Sequence, residues 1–437
     1  MQSRVILILY TTLYREGGDK FKLVAQTMLH EKQIAYPDQH VMAVAVESKS
    51  EFVAALQSVR QQNCKIQELH FIGHSGVYGI MFGTTQWPEQ FSPHEWRQMT
   101  IPFTDSAKAY FHACRTSRWF APFFARTFAV KTFGYFWYTT VSAHPQKFVW
   151  QRYFKATDPC YIVSIVGKKS HGLLGSMAKY LRLRPVFQMQ EFAGVLDQPD
   201  TSYDAVAQDY AKTFVDIKVR SDEWQWLMRQ MKEVNPKTVL DVGCGNGALL
   251  REIAPLIERG EGVDASAGMI QEAQTQSVAF DNLSFCKISG PVLPFPDNSF
   301  DVVLSVLAFR YLDWDPITQE ILRVLKPGGE IWVVDMVAAP VSWREWPFFF
   351  WSKLQQQAQS FLRRDFVRQL KLMVRSKTWQ QMLKHNPIRA EHEYRWYFTS
   401  RFPKSSMSVI NMGWHSRILA FRSGPVLVKS IAKQNYP

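Results

Sequence analysis

Three short stretches hold residues whose types and spacing could do chemistry. The first, "VLDVGCGNG" at 239–247, puts Asp241 just ahead of glycines at 243, 245 and 247. Glycine lets a backbone turn sharply and come close to a ligand. The G-x-G-x-G spacing differs from the G-x-G-x-x-G of pyrophosphate sites, and the preceding acid suits a cationic, amino-acid-bearing ligand. Further on, "GVDAS" sets Asp264 at the end of the next apolar run, where a carboxylate can accept both hydroxyls of a ribose. The other two stretches are "LHFIGHSG" at 69–76 and "HAC" at 112–114, each at the end of an apolar run. Ser75 as a hydrolase nucleophile would need G-x-S-x-G, and Val77 stands where the second glycine belongs. His74 paired with Cys114 is the better arrangement. A thiol beside an imidazole can ionise and attack, with the histidine handling protons and the Gly76 and Cys114 N–H groups available to an oxyanion. His112 is read as facing the other side of its strand.

Positioning these residues takes two alternating strand–helix units. In the first, "RVILILYTT", "HVMAVAVES", "IQELHFIG" and "AKAYFHA" read as strands. Helices "DKFKLVAQTMLHEK", "SEFVAALQSVRQQN" (Ser50 as cap), "SPHEWRQM" (Ser92 as cap, Pro93 first) and "WFAPFFARTFA" lie between and after them. That order implies a parallel sheet covered on both faces, with His74 and Cys114 at one edge. The second unit runs through helix "SDEWQWLMRQMKEV", strand "KTVLDVG", helix "GALLREIAPLIERG", strands "GEGVDAS", "LSFCKIS" and "FDVVLSV", helix "PITQEILRVL" and strand "EIWVVDM". "RAEHEYRWYFTS" and "ILAFRSG" read as a closing antiparallel pair. The fold class is α/β, with a domain at 1–150, a basic, glycine-punctuated linker at 151–200 and a second domain at 201–437.

Composition narrows the partners. At 437 residues, two cores are the default; 46% apolar and 20% charged residues are globular proportions. The five cysteines are scattered and odd in number, so no disulfide framework is expected and a reducing compartment, the cytoplasm, fits. "VILILY" is too short for a signal peptide, and no apolar window is long enough for a membrane span. The net charge of +13 favours anionic partners, although its simplest reading is a set of solvated basic faces. Nucleic acid is not the expected partner, since only the charge speaks for it. Neither Asn-Pro-Pro-Tyr nor Asp-Pro-Pro-Tyr ends the fourth strand of the second unit, as adenine-amine methylation would want, and no Pro-Cys nucleophile for cytosine stands there.

The glycine loop, Asp264, "LPFPDNSFDVVLSV" and "RVLKPGGEIWVV" together resemble class I S-adenosylmethionine-dependent methyltransferases, the small-molecule group that includes quinone-biosynthesis enzymes. The resemblance covers about residues 203–338. It implies a Rossmann-like seven-stranded sheet with the last strand antiparallel and S-adenosyl-L-methionine as cofactor. It also implies that Asp241 and the backbone of Gly243, Gly245 and Gly247 line the methionine part of the cofactor. Asp264 would hold the ribose, Met269 would cover the adenine, and Ser289 stands where the family carries an acid toward the adenine amine. Ser305, at the end of "FDVVLSV", would face the transferred methyl.

Cys244 is read as a packed residue. Arg310, Tyr311 and Asp313, with an aromatic and basic insert near 343–375, are the acceptor-side elements. The insert could cap a small or lipid-like methyl acceptor, or contact a membrane surface or a protein.

"FIGHSGVYGIMFG" and "AYFHACRTS" resemble the strand-end His-Gly and Ala-Cys blocks of caspase-like cysteine peptidases, over about residues 3–145, with Ser75 as an extra residue between histidine and glycine. The resemblance implies a caspase-like fold with a His74–Cys114 dyad, and leaves its peptidase activity open. Two functions follow: a methyltransferase fused to a caspase-like domain, or an interaction scaffold in which both domains are degenerate.

Overall fold

A computed structural model describes residues 3–12, 18–76, 79–83, 88–149, 151, 154–165, 186–196, 204–214, 216–339, 341–362, 364–385 and 388–427. The whole of the basic stretch at 167–185, and Val77, lie outside them. The chain divides into two compact units, 1–198 and 199–434.

The N-terminal unit is built on β1 (Ser3–Tyr10), β2 (His40–Ala45), β3 (Cys64–Ile72), β4 (His74–Gly76), β5 (Gly79–Gly83), β6 (Pro88–Gln90), β7 (Phe103–His112), β8 (Lys131–Gly134), β9 (Tyr138–Ser142), β10 (Tyr161–Ile165), β11 (Val186–Phe187) and β12 (Gln190–Phe192). Its main sheet has the order β12-β8-β7-β3-β1-β2. All neighbours in it are parallel except the β12–β8 pair. Val5 to Leu9 of β1 are wholly buried, because a central parallel strand has helices on both faces. One face packs Phe52, Trp96, Phe111, Phe120 and Phe124. The other packs Ile6, Ile8 and Ile72 beneath Phe21 and Val24 of the helix Gly18–Ala35. β4, β5 and β6 form a small separate sheet directly after β3, and β11-β10-β9 form another.

The C-terminal unit contains β13 (Thr238–Val242), β14 (Arg259–Asp264), β15 (Leu283–Lys287), β16 (Phe300–Val306), β17 (Leu325–Ala338), β18 (Ser406–Met412) and β19 (Ser416–Arg422). The seven-stranded order is β15-β14-β13-β16-β17-β19-β18. The first five strands are parallel, and β19 runs antiparallel to both β17 and β18. The parallel strands therefore end along one edge, where Asp241 and Asp264 stand.

Two local expectations fail. Ser48, not Ser50, caps the second helix, its hydroxyl accepting from Glu51 N–H at 3.1 Å. "RAEHEYRWYFTS" is the helix Glu391–Arg401, not a strand. Its buried Tyr394, Tyr397 and Phe398 repeat at helical spacing, and the Glu393 carboxylate turns back to the Ala390 N–H at 3.1 Å. The antiparallel pair is instead β18 with β19.

Candidate functional site

In the C-terminal unit, the loop after β13 is a backbone-built cradle. Gly243, Gly245 and Gly247 all have positive φ, at 81°, 54° and 73°. Gly243 and Gly247 are also sterically required. A Cβ on Gly243 would meet the Ala308 Cβ at 2.3 Å, and one on Gly247 would meet the Phe285 ring at 2.8 Å. Gly245 differs: its missing Cβ faces open space, with the Tyr210 ring 3.7 Å away. Backbone is thus offered to a ligand at Gly245 and packed at the other two.

Asp241, at the end of β13, is 2% exposed, and its Oδ1 has no hydrogen-bond partner among the described residues. Burial first, and the nearby Asp264 carboxylate second, push its carboxyl up to about 8. Asp264 is better satisfied: it accepts from Gly245 N–H at 3.0 Å and from Ser266 N–H at 2.9 Å. Burial raises its carboxyl against the pull of those donors. Two acids, one orphaned and one braced against the glycine loop, make a site that favours a cation. Ser266 caps the helix Ala267–Gln276 by accepting from Met269 N–H at 3.1 Å, which leaves Met269 buried one turn beyond Asp264. Ser289 is exposed just past the end of β15, where Ile288 N–H donates to the Asp264 carbonyl at 3.0 Å.

Other assignments change. Ser305 is buried and its hydroxyl donates to the Val242 carbonyl at 2.7 Å, so it ties β16 to β13 rather than presenting a free hydroxyl. Arg310 is not an open acceptor contact. Its guanidinium donates to Asp335 Oδ1 at 2.7 Å and its N–H to Oδ2 at 2.6 Å, while the Tyr394 hydroxyl donates to the same Oδ2 at 2.6 Å. The Tyr311 ring lies against that guanidinium at 4.6 Å, and Asp313 sits at the N-cap of the helix Trp314–Val324. Cys244 is buried, and burial raises its thiol well above the ordinary range, as suits a packed residue.

Several contributors carry no sequence signal. Leu307 adopts φ 58°, a genuine strain for a branched side chain, held by its N–H to the Val334 carbonyl at 2.7 Å. The kink seats Ala308 against Gly243. From the helix Ala207–Thr213 and the residue after it, the Tyr210 and Phe214 rings pack tilted at 4.7 Å, with Phe366 5.7 Å from Phe214 and Trp379 6.5 Å from Tyr210. Asn246 pins this wall to the glycine loop by donating to the Phe214 carbonyl at 3.0 Å.

In the N-terminal unit, β3 and β7 are neighbours in the register Ile72↔His112, so His74 and Cys114 follow the ends of adjacent parallel strands at matching positions. Both are half-buried. The His74 ring meets Phe21 edge-on at 5.1 Å. Cys114 Sγ lies 3.2 Å from Thr139 Oγ1 and accepts from Thr139 N–H at 3.3 Å. Ser75 is not idle: its hydroxyl donates to the Cys114 carbonyl, clipping the two strand ends together. Arg115, next in the chain, is left-handed at φ 58°.

Behind this edge lies a buried polar chain that sequence reading missed. His70 Nδ1 is 3.1 Å from His112 Nε2, His70 Nε2 is 3.1 Å from Glu68, and Lys32 reaches Glu68. Burial lowers both histidines. Burial also works to raise Glu68, yet its bonds to His70 and Lys32 prevail and hold it at about 2. His112 therefore packs with His70 on the face beneath the first helix.

Residues 240–333 match the family model Methyltransf_11, described as a methyltransferase domain. A demethylmenaquinone methyltransferase of Tropheryma whipplei is 35% identical over 136 residues, covering 30% of this chain and 56% of its own length. A sterol 4-C-methyltransferase of Caenorhabditis elegans is 34% identical over 105 residues, covering 22% of this chain and 30% of its own. The solved structure of the YcgJ protein of Bacillus subtilis is 22% identical, covers 46% of this chain and 97% of its own, and has a TM-score of 0.28. The chain thus spans about half the length of the first of these curated relatives. The C-terminal unit contains a methyltransferase domain at residues 240–333, with S-adenosylmethionine as its cofactor. The residues fit it: an orphaned buried carboxyl for the cationic methionine end, and an open glycine backbone beside it.

Proposed function

We propose that the chain methylates a small, lipophilic acceptor, of the quinone or sterol class that its relatives are named for, using S-adenosylmethionine. The observation that carries this is Asp241. A buried carboxylate oxygen with no partner, here Oδ1, costs about 1–3 kcal/mol, and a cationic ligand end beside it removes that cost. Asp241 and the backbone from Gly243 to Gly247 would hold the methionine part, Asp264 the ribose, and Met269 and Ser289 the adenine side. When bound, S-adenosylmethionine supplies a sulfonium methyl that leaves by in-line displacement. The chain's own share is orientation and exclusion of water. The Tyr210–Phe214–Trp379 wall keeps the loop dry, and the Arg310–Asp335–Tyr394 network fixes the ends of β16 and β17. A general base is not required.

In the same reading, residues 1–150 form a caspase-like domain with His74 and Cys114 as its pair. What supports it is their matched position at the ends of β3 and β7. Five free cysteines support a reducing compartment, the cytoplasm.

Calorimetry with S-adenosylhomocysteine tests the methyltransferase reading. The full chain binds it, and Asp264→Ala weakens binding about 10–100-fold through loss of charge-assisted hydrogen bonds. Absence of binding by the unaltered chain overturns the reading in favour of an interaction scaffold.

A further inference from the structure

We propose that an exposed aromatic face on the C-terminal unit docks on an anionic lipid bilayer, at the sheet edge that carries the cofactor site. The inference deepens the lipophilic-acceptor reading and rests on it for its biological meaning, although the docking itself is tested separately.

The helix Trp346–Leu362 is turned inside out relative to an ordinary surface helix. Phe349 and Ser352 face inward, whereas Trp346, Phe350, Trp351 and Leu354 are exposed at 43%, 57%, 59% and 61%. Trp343, just before the helix, is 75% exposed. From a distant part of the chain, the turn between β18 and β19 adds Trp414, 57% exposed, with its ring 6.4 Å from Trp346 and 4.5 Å from Phe349. Single exposed apolar residues are ordinary, but a cluster of indole and phenyl rings is not. Tryptophan is the side chain most at home where hydrocarbon meets water.

Charge selects the occupant. Arg344 lies over the Trp343 ring at 5.2 Å and Lys353 over Phe349 at 5.7 Å. The next helix, Arg364–Arg375, and its successor expose Arg364, Arg368, Lys371, Arg375 and Lys377 against one acid, Asp365. Aromatic rings fringed by cations complement a surface of anionic headgroups above acyl chains. Among the described residues no helix is long and apolar enough to cross a membrane, so the contact is interfacial. Position gives it a purpose. Ala338, at the end of β17, pairs with Ser416, and Ala339 N–H donates to the His415 carbonyl at 3.1 Å. The Trp414 turn therefore stands at the carboxyl ends of the parallel strands, the edge that holds Asp241 and Asp264. A lipophilic acceptor would reach the site from the bilayer without crossing water.

The full chain is sedimented with phosphatidylcholine vesicles, with and without phosphatidylglycerol. It should pellet with the anionic vesicles, less so as salt rises. Phe350→Ser combined with Trp351→Ser should weaken this about tenfold or more, as should Arg368→Glu combined with Lys371→Glu. Unchanged far-UV circular dichroism and thermal unfolding show that the variants are folded. Three outcomes overturn the proposal: no pelleting with anionic vesicles, serine variants that pellet like the unaltered chain, or serine variants that only dissolve an oligomer. Binding of S-adenosylhomocysteine in vesicle-free solution reports on the methyltransferase reading alone, so the two can fail independently.

Discussion

Both units place their candidate site residues where parallel strands end, but they build those places from opposite materials. The C-terminal site is made of backbone: three glycines at positive φ, a kink at Leu307, and one buried carboxyl that nothing in the described chain satisfies. The N-terminal edge is made mostly of side chains that already have partners, Thr11 Oγ1 and Arg115 Nε being buried exceptions. Cys114 bonds Thr139, Ser75 bonds the Cys114 carbonyl, and the Glu68–His70–His112 chain behind them is satisfied internally. A site with an unmet electrostatic demand advertises its ligand, whereas a self-satisfied one does not. The C-terminal unit therefore presents residues that fit the cofactor its methyltransferase domain implies, whereas the role of the N-terminal unit rests on experiment.

The contrast can be broken in four ways. The largest effect is expected from Gly243→Ala, which puts a Cβ 2.3 Å from Ala308 at a positive φ. It should destabilise the C-terminal unit by about 3 kcal/mol. Calorimetric unfolding should show one transition falling while that of the N-terminal unit stays in place.

Next, Asp241→Asn separates the ligand's demand from the fold's. Between an ordinary value near 3.8 and about 8, the folded chain keeps a proton on Asp241 that the unfolded chain has released. Its contribution to stability therefore falls as pH rises through that window. The variant lacks that slope and should be more stable than the parent at pH 8 by on the order of 1 kcal/mol, read as a higher Tm. It should also bind S-adenosylhomocysteine at least about tenfold more weakly. Parent affinity should rise with pH up to about 8, and the variant's should not.

The third test asks whether His74 activates Cys114. Peptide-resolved alkylation by iodoacetamide at neutral pH should slow about tenfold at Cys114 in His74→Ala if the imidazole stabilises the thiolate. An unchanged rate removes the dyad and makes the N-terminal unit a binding module. Smallest is Ser75→Ala, which deletes the clip to the Cys114 carbonyl. Chemical denaturation should show a loss of about 1 kcal/mol, confined to the N-terminal transition.

Much of this was legible in the residues. Asp241 and the glycines after it announce a ligand loop because glycine adopts positive φ without the strain that other residues incur there. Asp264 announces the next strand's end by its distance along the chain. The seven-stranded α/β order with its antiparallel closing strand followed from the resemblance. The failures share one cause, which is that sequence shows a residue's type and not its partner. Arg310 reads in the sequence as available for an acceptor, but Asp335 of β17 takes its guanidinium and the Tyr394 hydroxyl, from the helix Glu391–Arg401. Ser305, expected at the edge facing the transferred methyl, also spends its hydroxyl on the Val242 carbonyl, a partner the sequence does not show. "RAEHEYRWYFTS" looked like a strand because its aromatic residues suit one. Their spacing of three and four, and the Glu393 return to the backbone, decide for helix.

The sequence by itself determined the local obligations: where the backbone must turn, which runs must be buried, and which acid precedes the glycine loop. Those depend on neighbours a few residues away. Tertiary structure alone decided which groups are satisfied and which are left wanting. It paired Ser75 with Cys114, stacked Tyr210 over the glycine loop, gathered Trp414 beside Trp346, and left Asp241 without a partner. Hydrogen bonding and desolvation act over a few ångströms of space, and residues far apart in the chain become neighbours only when the sheet is assembled.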